Sequence, residues 1–172
     1  NLNIAIKLSP DIWEAYMIRG NIYRIQGKLS SAFSDLDIAV KSNKCPREVF
    51  LYRGLANSLV GNFSEVIDDL SKFLSLTPGY HQQKPEAILK RAIARYYQGE
   101  LNTAINDLVE VLKRKPEHWL AYRILGLAYL EKGDFNKSLI NFNLAFESGD
   151  HDVELYLHRG LAQLKLSHYN SA

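Results

Sequence analysis

The chain holds a single cysteine, Cys45, so no internal disulfide can form and folding needs no oxidation. It also lacks a long apolar run. The longest, Ile124-Leu125-Gly126-Leu127-Ala128-Tyr129-Leu130, falls far short of a bilayer span, which takes about 20 residues. An excess of either charge is missing too: Lys plus Arg is 21, Asp plus Glu is 19, and the net charge is +2. That balance argues against a strongly basic nucleic-acid binder and against an acidic disordered tail. The first residues, Asn1-Leu2-Asn3-Ile4-Ala5-Ile6-Lys7, lack the regions of a signal peptide. Glycines and prolines are scattered singly, without a floppy linker. These absences point to an intracellular, cytoplasmic protein with no membrane insertion.

Motifs of chemistry are sparse. His81, His118, His151, His158 and His168 form no set with metal-ligand spacing. No nucleophile elbow, phosphate-binding glycine loop or H-E-x-x-H is present. The expectation is a chain with no catalytic residues, no metal and no cofactor. What is present is an average apolar content of 47%, with 23% charged residues, enough for a packed core.

That apolar content is periodic. Arg19-Gly20 and Arg53-Gly54 lie 34 residues apart, as do Gly126 and Gly160. A four-residue insertion, His81-Gln82-Gln83-Lys84, brings Ala92 into the same column. Repeat units then cover 13–46, 47–80, 85–118, 119–152 and 153–172, with 1–12 as the end of a preceding unit. Counting from the first residue of each unit, position 4 reads Tyr16, Phe50, Ile88, Tyr122, Tyr156, and position 8 reads Gly20, Gly54, Ala92, Gly126, Gly160. Position 15 reads Gly27, Gly61, Gly99, Gly133, Ser167, and position 24 reads Leu36, Leu70, Leu108, Phe142. Position 17 reads Leu29, Phe63, Leu101, Phe135, Tyr169, and position 20 reads Ala32, Val66, Ala104, Ser138, Ala172.

Each unit thus carries two stretches of helical periodicity broken at position 15, where glycine supplies a left-handed C-cap. Small residues at positions 8 and 20 stand where two helices of a hairpin cross. Ser30, Ser64, Asn102, Asn136 and Asn170 at position 18 are of the types that satisfy free N–H groups near a helix start. Both ends of the sequence fall inside a repeat, which suggests a window on a longer array.

Arginine recurs at position 7 and aspartate at position 23. Arg19, Arg53 and Arg91 would lie opposite Asp35, Asp69 and Asp107 in an antiparallel hairpin. The unit with Leu125 in place of the arginine also has Asn141 in place of the aspartate. Partly buried interhelical ion pairs explain both columns; an acidic ligand on the arginines is the competing explanation.

The columns resemble the tetratricopeptide repeat (TPR), a family of 34-residue helix pairs with an aromatic, Leu-Gly, Tyr, Ala, aromatic, Pro signature. The resemblance covers essentially the whole chain. It departs at Ala92 and Arg95 in the third unit and at Lys44 in the first. It implies an all-α, right-handed α-solenoid of antiparallel hairpins, with the first helix of each pair lining the concave side. Carried over residue by residue, the implied groove comprises Met17, Asn21, Leu51, Tyr52, Leu55, Leu89, Lys90, Ile93, Tyr97, Arg123, Ile124 and Leu127.

This set is rich in apolar side chains, and no positive excess marks the wider groove positions, so nucleic acid is not the expected partner. A peptide or amphipathic helix of another protein is. Some relatives clamp chaperone C-terminal carboxylates, but the matching positions here are Met17, Asn21, Tyr52, Glu86 and Lys90. Glu86 would repel a carboxylate, so that clamp is not expected. The function the resemblance implies is a non-catalytic protein-interaction scaffold. The alternatives are a substrate-recruiting arm of a larger enzyme and a self-associating subunit of an assembly.

Overall fold

A computed structural model describes residues 1–170; Ser171 and Ala172, and the side chains of His168, Tyr169 and Asn170, lie outside the described part. Ten α-helices account for all its regular structure: α1 (Leu2–Leu8), α2 (Trp13–Ile25), α3 (Leu29–Val40), α4 (Arg47–Val60), α5 (Phe63–Ser75), α6 (Lys84–Tyr97), α7 (Leu101–Arg114), α8 (Trp119–Glu131), α9 (Phe135–Glu147) and α10 (Val153–Asn170). The chain forms two compact units, Asn1–Lys90 and Arg91–Ala172, and α6 supplies residues to both.

Within the first unit each helix packs on the next, from α1 to α5. The turn after α4 shows how the hairpin closes. Gly61 caps the helix with φ 76° and ψ 18°, and its N–H donates to the Asn57 carbonyl. A side chain would strain that left-handed conformation. Leu36, Ala39 and Val49 form a buried cluster, with Tyr16, Met17, Val40, Cys45 and Tyr52 packed around it. Val66, Leu70 and Phe73 on α5 are also fully buried. Each such leucine or phenylalanine contributes roughly 1.5–3 kcal/mol of transfer free energy.

In the second unit α7 packs on α8, α8 on α9, and α9 on α10. Its core is Phe142, Ala145, Leu155 and Ala162, surrounded by Tyr122, Leu127, Leu130, Leu139 and Phe146. The close approach at position 8 is tight. A Cβ on Gly126 would lie 2.5 Å from the Phe142 ring, and one on Gly54, in the first unit, 2.7 Å from Leu70. Ser138, the one polar residue in its column, is fully buried and donates from Oγ to the Gly126 carbonyl at 2.8 Å.

Three local details differ from the sequence expectation. The second helix of each pair starts at position 17, so Ser30, Ser64, Asn102 and Asn136 are already inside a helix rather than capping it. The cap falls at position 16, and of Lys28, Asn62, Glu100 and Asp134 only Asp134 caps with its side chain, accepting from the Lys137 N–H at 3.1 Å. Lys84, assigned to the insertion, is the first residue of α6; its Nζ donates to the carbonyls of Thr77 and Gly79 at 3.2 Å each. Finally, α10 runs straight through Ser167. Serine lacks glycine's ease in the left-handed region, and the Ser167 hydroxyl donates back to the Leu164 carbonyl at 2.8 Å, as helical serines do.

Candidate functional site

The arginine and aspartate columns meet between the two helices of each pair. Arg19 grips Asp35 with Nε and Nη2, both at 2.7 Å. Arg53 holds Asp69 at 3.0 and 2.8 Å, and Arg91 holds Asp107 at 2.9 and 2.7 Å, in the same two-pronged geometry. The carboxylates are 5%, 5% and 7% exposed, so the pairs are drawn largely out of water. The guanidinium fork fits a carboxylate edge-on, which makes this the strongest form of charge-assisted hydrogen bond. The Arg53 guanidinium is accordingly pushed up from its ordinary value, first by the Asp69 hydrogen bonds.

Two features of this lattice escaped the sequence reading. The remaining prong reaches back to the preceding second helix: Arg19 Nη1 donates to Asn3 at 2.7 Å and Arg53 Nη1 to Asp37 at 2.9 Å. Arg19 and Arg53 thereby tie their own hairpins to the preceding helix. The signal was a polar residue sixteen before Arg19 and Arg53. Arg95, which departs from the family's tyrosine, adds a second cation to Asp107 at 2.8 Å.

The expected groove residues divide sharply. Leu51, Leu55, Leu89 and Ile124 are 0%, 4%, 6% and 6% exposed. They are packed within the fold and offer little surface to a partner. Leucine and isoleucine on an inward-turned helix face are covered by neighbouring elements before any ligand arrives. Met17 and Tyr52 are half-buried against the Leu36–Ala39–Val49 cluster, and Leu127 against the Phe142–Leu155 cluster. Asn21 is occupied locally, accepting from Arg24 Nε at 3.0 Å and Nη2 at 2.9 Å. Lys90 and Ile93 are half-buried, and Tyr97 is 61% exposed.

Arg123 is also spent within the fold. Its Nε and Nη2 donate to Asp150 at 2.5 Å each, and its guanidinium lies 5.4 Å from the Trp119 ring centre. Burial pushes the Asp150 carboxyl up, but the Arg123 hydrogen bonds, the Asp152 N–H and the Arg123 charge together hold it below the usual carboxylate value. Cys45 is half-buried, and burial pushes its thiol up, away from the thiolate that reactive cysteines need.

On each of α2, α4 and α6 the most exposed large apolar side chain stands at position 13, one of the expected groove positions. Ile25, Leu59 and Tyr97, all at position 13, are 70%, 57% and 61% exposed, and Ile18 at position 6 is 45% exposed. Position 13 is the last or next-to-last residue of α2, α4, α6 and α8. No helix among the described residues is long and apolar enough to cross a membrane.

A family model described as "Tetratricopeptide repeat" matches residues 89–152. Among curated proteins, human "Tetratricopeptide repeat protein 13" is 28% identical over 128 residues, covering 74% of this chain and 14% of that protein. Human "Mitochondrial import receptor subunit TOM70" is 22% identical over 154 residues, covering 88% of this chain. The chain therefore spans only 14% and 25% of the length of these two relatives. Among solved structures, MamA is 25% identical with a TM-score of 0.75, covering 86% of this chain and 84% of its own. YrrB, described as a TPR protein with an unusual peptide-binding site, is 20% identical with a TM-score of 0.80, covering 91% and 78%. The fold is an all-α helical-repeat solenoid, and its residues 89–152 match the tetratricopeptide-repeat family.

Proposed function

We propose that this protein-interaction scaffold binds an apolar peptide or an amphipathic helix of a partner protein on the solvent-facing side of its first helices, without catalysis. The observation that carries this reading is the exposure of Ile25, Leu59 and Tyr97 at one repeated position. In the first unit the contact set is Ile18, Ile25 and Leu59, with the half-exposed Met17 and Tyr52 at its edge. In the second it is Tyr97 with Ile93 and Leu127. Large apolar side chains repeated at one register offer anchors of the kind on which interface energy concentrates. The YrrB description names a peptide-binding site, which supports a polypeptide as the ligand class.

A photo-crosslinking residue at Leu59 tests this in cells. It should capture a discrete polypeptide that the same residue at Ile38, exposed on α3, does not. Ile25→Asp should abolish the capture. Identical products from both positions, or none from Leu59, would overturn the reading.

A further inference from the structure

We infer that Tyr96, Tyr97 and Glu131 form a seat for a basic side chain, arginine or lysine, of the polypeptide held on the first helices. This seat rests on the peptide-binding reading of those helices and adds a charge requirement to it.

Three groups from two consecutive first helices meet here. Tyr97 on α6 and Glu131 on α8 both stand at position 13, the last residue of each helix. The half-buried Tyr96 bridges them. Its hydroxyl donates to Glu131 Oε1 at 2.5 Å, and its ring meets that of Tyr97 with centres 5.4 Å apart and planes at 64°. Burial, and then the Glu131 contact, push the Tyr96 phenol well above its ordinary value, so it remains a donor. The hydroxyl satisfies one carboxylate oxygen without cancelling the charge. Glu131 is exposed, and among the described residues no lysine or arginine pairs with it. The cations beside it in sequence and on α6 are engaged elsewhere: Lys132 with Asn102, and Arg95 with Asp107 and Glu100.

These groups suit a cation. A carboxylate without a counter-charge attracts one, and a tyrosine ring offers it the negative face of its quadrupole. Tyr97 is 61% exposed, so its ring reaches solvent. A guanidinium fits best, because it stacks on an aromatic face and donates to a carboxylate in its own plane. The combination is particular to this place. Two adjacent tyrosines fill positions 12 and 13 only in the third unit, where the first two units carry Arg24-Ile25 and Ser58-Leu59. A single exposed ion pair is weak, so it selects the ligand without making binding strongly salt-dependent.

A random-peptide phage library panned on the full 172-residue chain tests the seat. Selected peptides should carry arginine or lysine beside leucine, isoleucine or phenylalanine. The tightest of them, synthesised with a fluorescent label, should bind about fivefold better than a twin whose basic residue is replaced by neutral citrulline or norleucine. Tyr97→Leu and Glu131→Gln should each bring that ratio below about twofold, with circular dichroism unchanged. Glutamine still accepts the Tyr96 hydroxyl, so Glu131→Gln isolates the charge. Glu131→Lys should reverse the preference, toward a twin with glutamate at that place. Selected peptides that are apolar but lack a basic residue would overturn the seat and leave the apolar reading standing. A library that yields no binding peptide would overturn both. A preference that survives Tyr97→Leu combined with Glu131→Gln would put the cation elsewhere and overturn the seat alone.

Discussion

Single residues in one column play different parts, and the glycines show it best. Gly126 is held against the Phe142 ring, which cannot flex away from an added methyl group. Gly126→Ala should therefore cost about 1–3 kcal/mol of overpacking in urea unfolding. Gly160→Ala meets open space, and exchanging helical glycine for alanine should instead stabilise by about 0.5–1 kcal/mol. The two sites are sequence-equivalent, so a destabilised Gly160→Ala would mean that something covers α10. Asp150 makes a second prediction at this scale. Its carboxyl is held below the ordinary value in the folded chain, so the stabilisation is present above that ordinary value. It is lost as the pH falls through the lowered one. Acid unfolding of Arg123→Met should consequently depend less steeply on pH below about 5 than that of the natural chain.

At the scale of the helix pair, the energetics rest on bidentate ion pairs as well as on apolar packing. Asp69→Ala would leave Arg53 with only Asp37, whose side chain is 51% exposed. That loss should cost about 3 kcal/mol, and a double-mutant cycle with Arg53→Met should recover a substantial coupling energy. No coupling would show the pair to be incidental. This geometry was legible in the sequence because the two columns vary together: Leu125 and Asn141 replace both partners at once. The cross-hairpin contacts to Asn3 and Asp37 were not, because nothing in a column of mixed residues marks a bond between repeats. The turn at position 15 was legible wherever glycine stands. At Ser167 the column predicted a break that the residue's own backbone preference does not support. The groove was least legible. Periodicity identifies which residues share a helix face, but coverage depends on the bulk of the neighbouring helices. Leu55→Asp, at a side chain 4% exposed, should now lower stability by more than about 3 kcal/mol rather than weaken binding selectively. Tyr97→Asp should leave the melting temperature within about 2 °C.

For the whole molecule, the balance of charges constrains how a ligand is held. A net charge of +2 provides no strong field to steer or retain a polyanion. The residues proposed to contact a partner, Ile18, Ile25, Leu59 and Tyr97, are aliphatic or aromatic. Binding of the polypeptide captured at Leu59 should then be driven by removal of apolar surface from water. Two calorimetric signatures follow. The heat-capacity change of binding should be negative, as burial of apolar area requires. The affinity should change by less than about threefold between roughly 50 and 500 mM NaCl, because screening acts on charges and not on apolar contacts. A nucleic-acid ligand would behave oppositely, losing orders of magnitude as phosphate contacts are screened and counterions return. A steep fall in affinity with salt would therefore remove the apolar surface from the centre of the mechanism and place the lysines and arginines there instead.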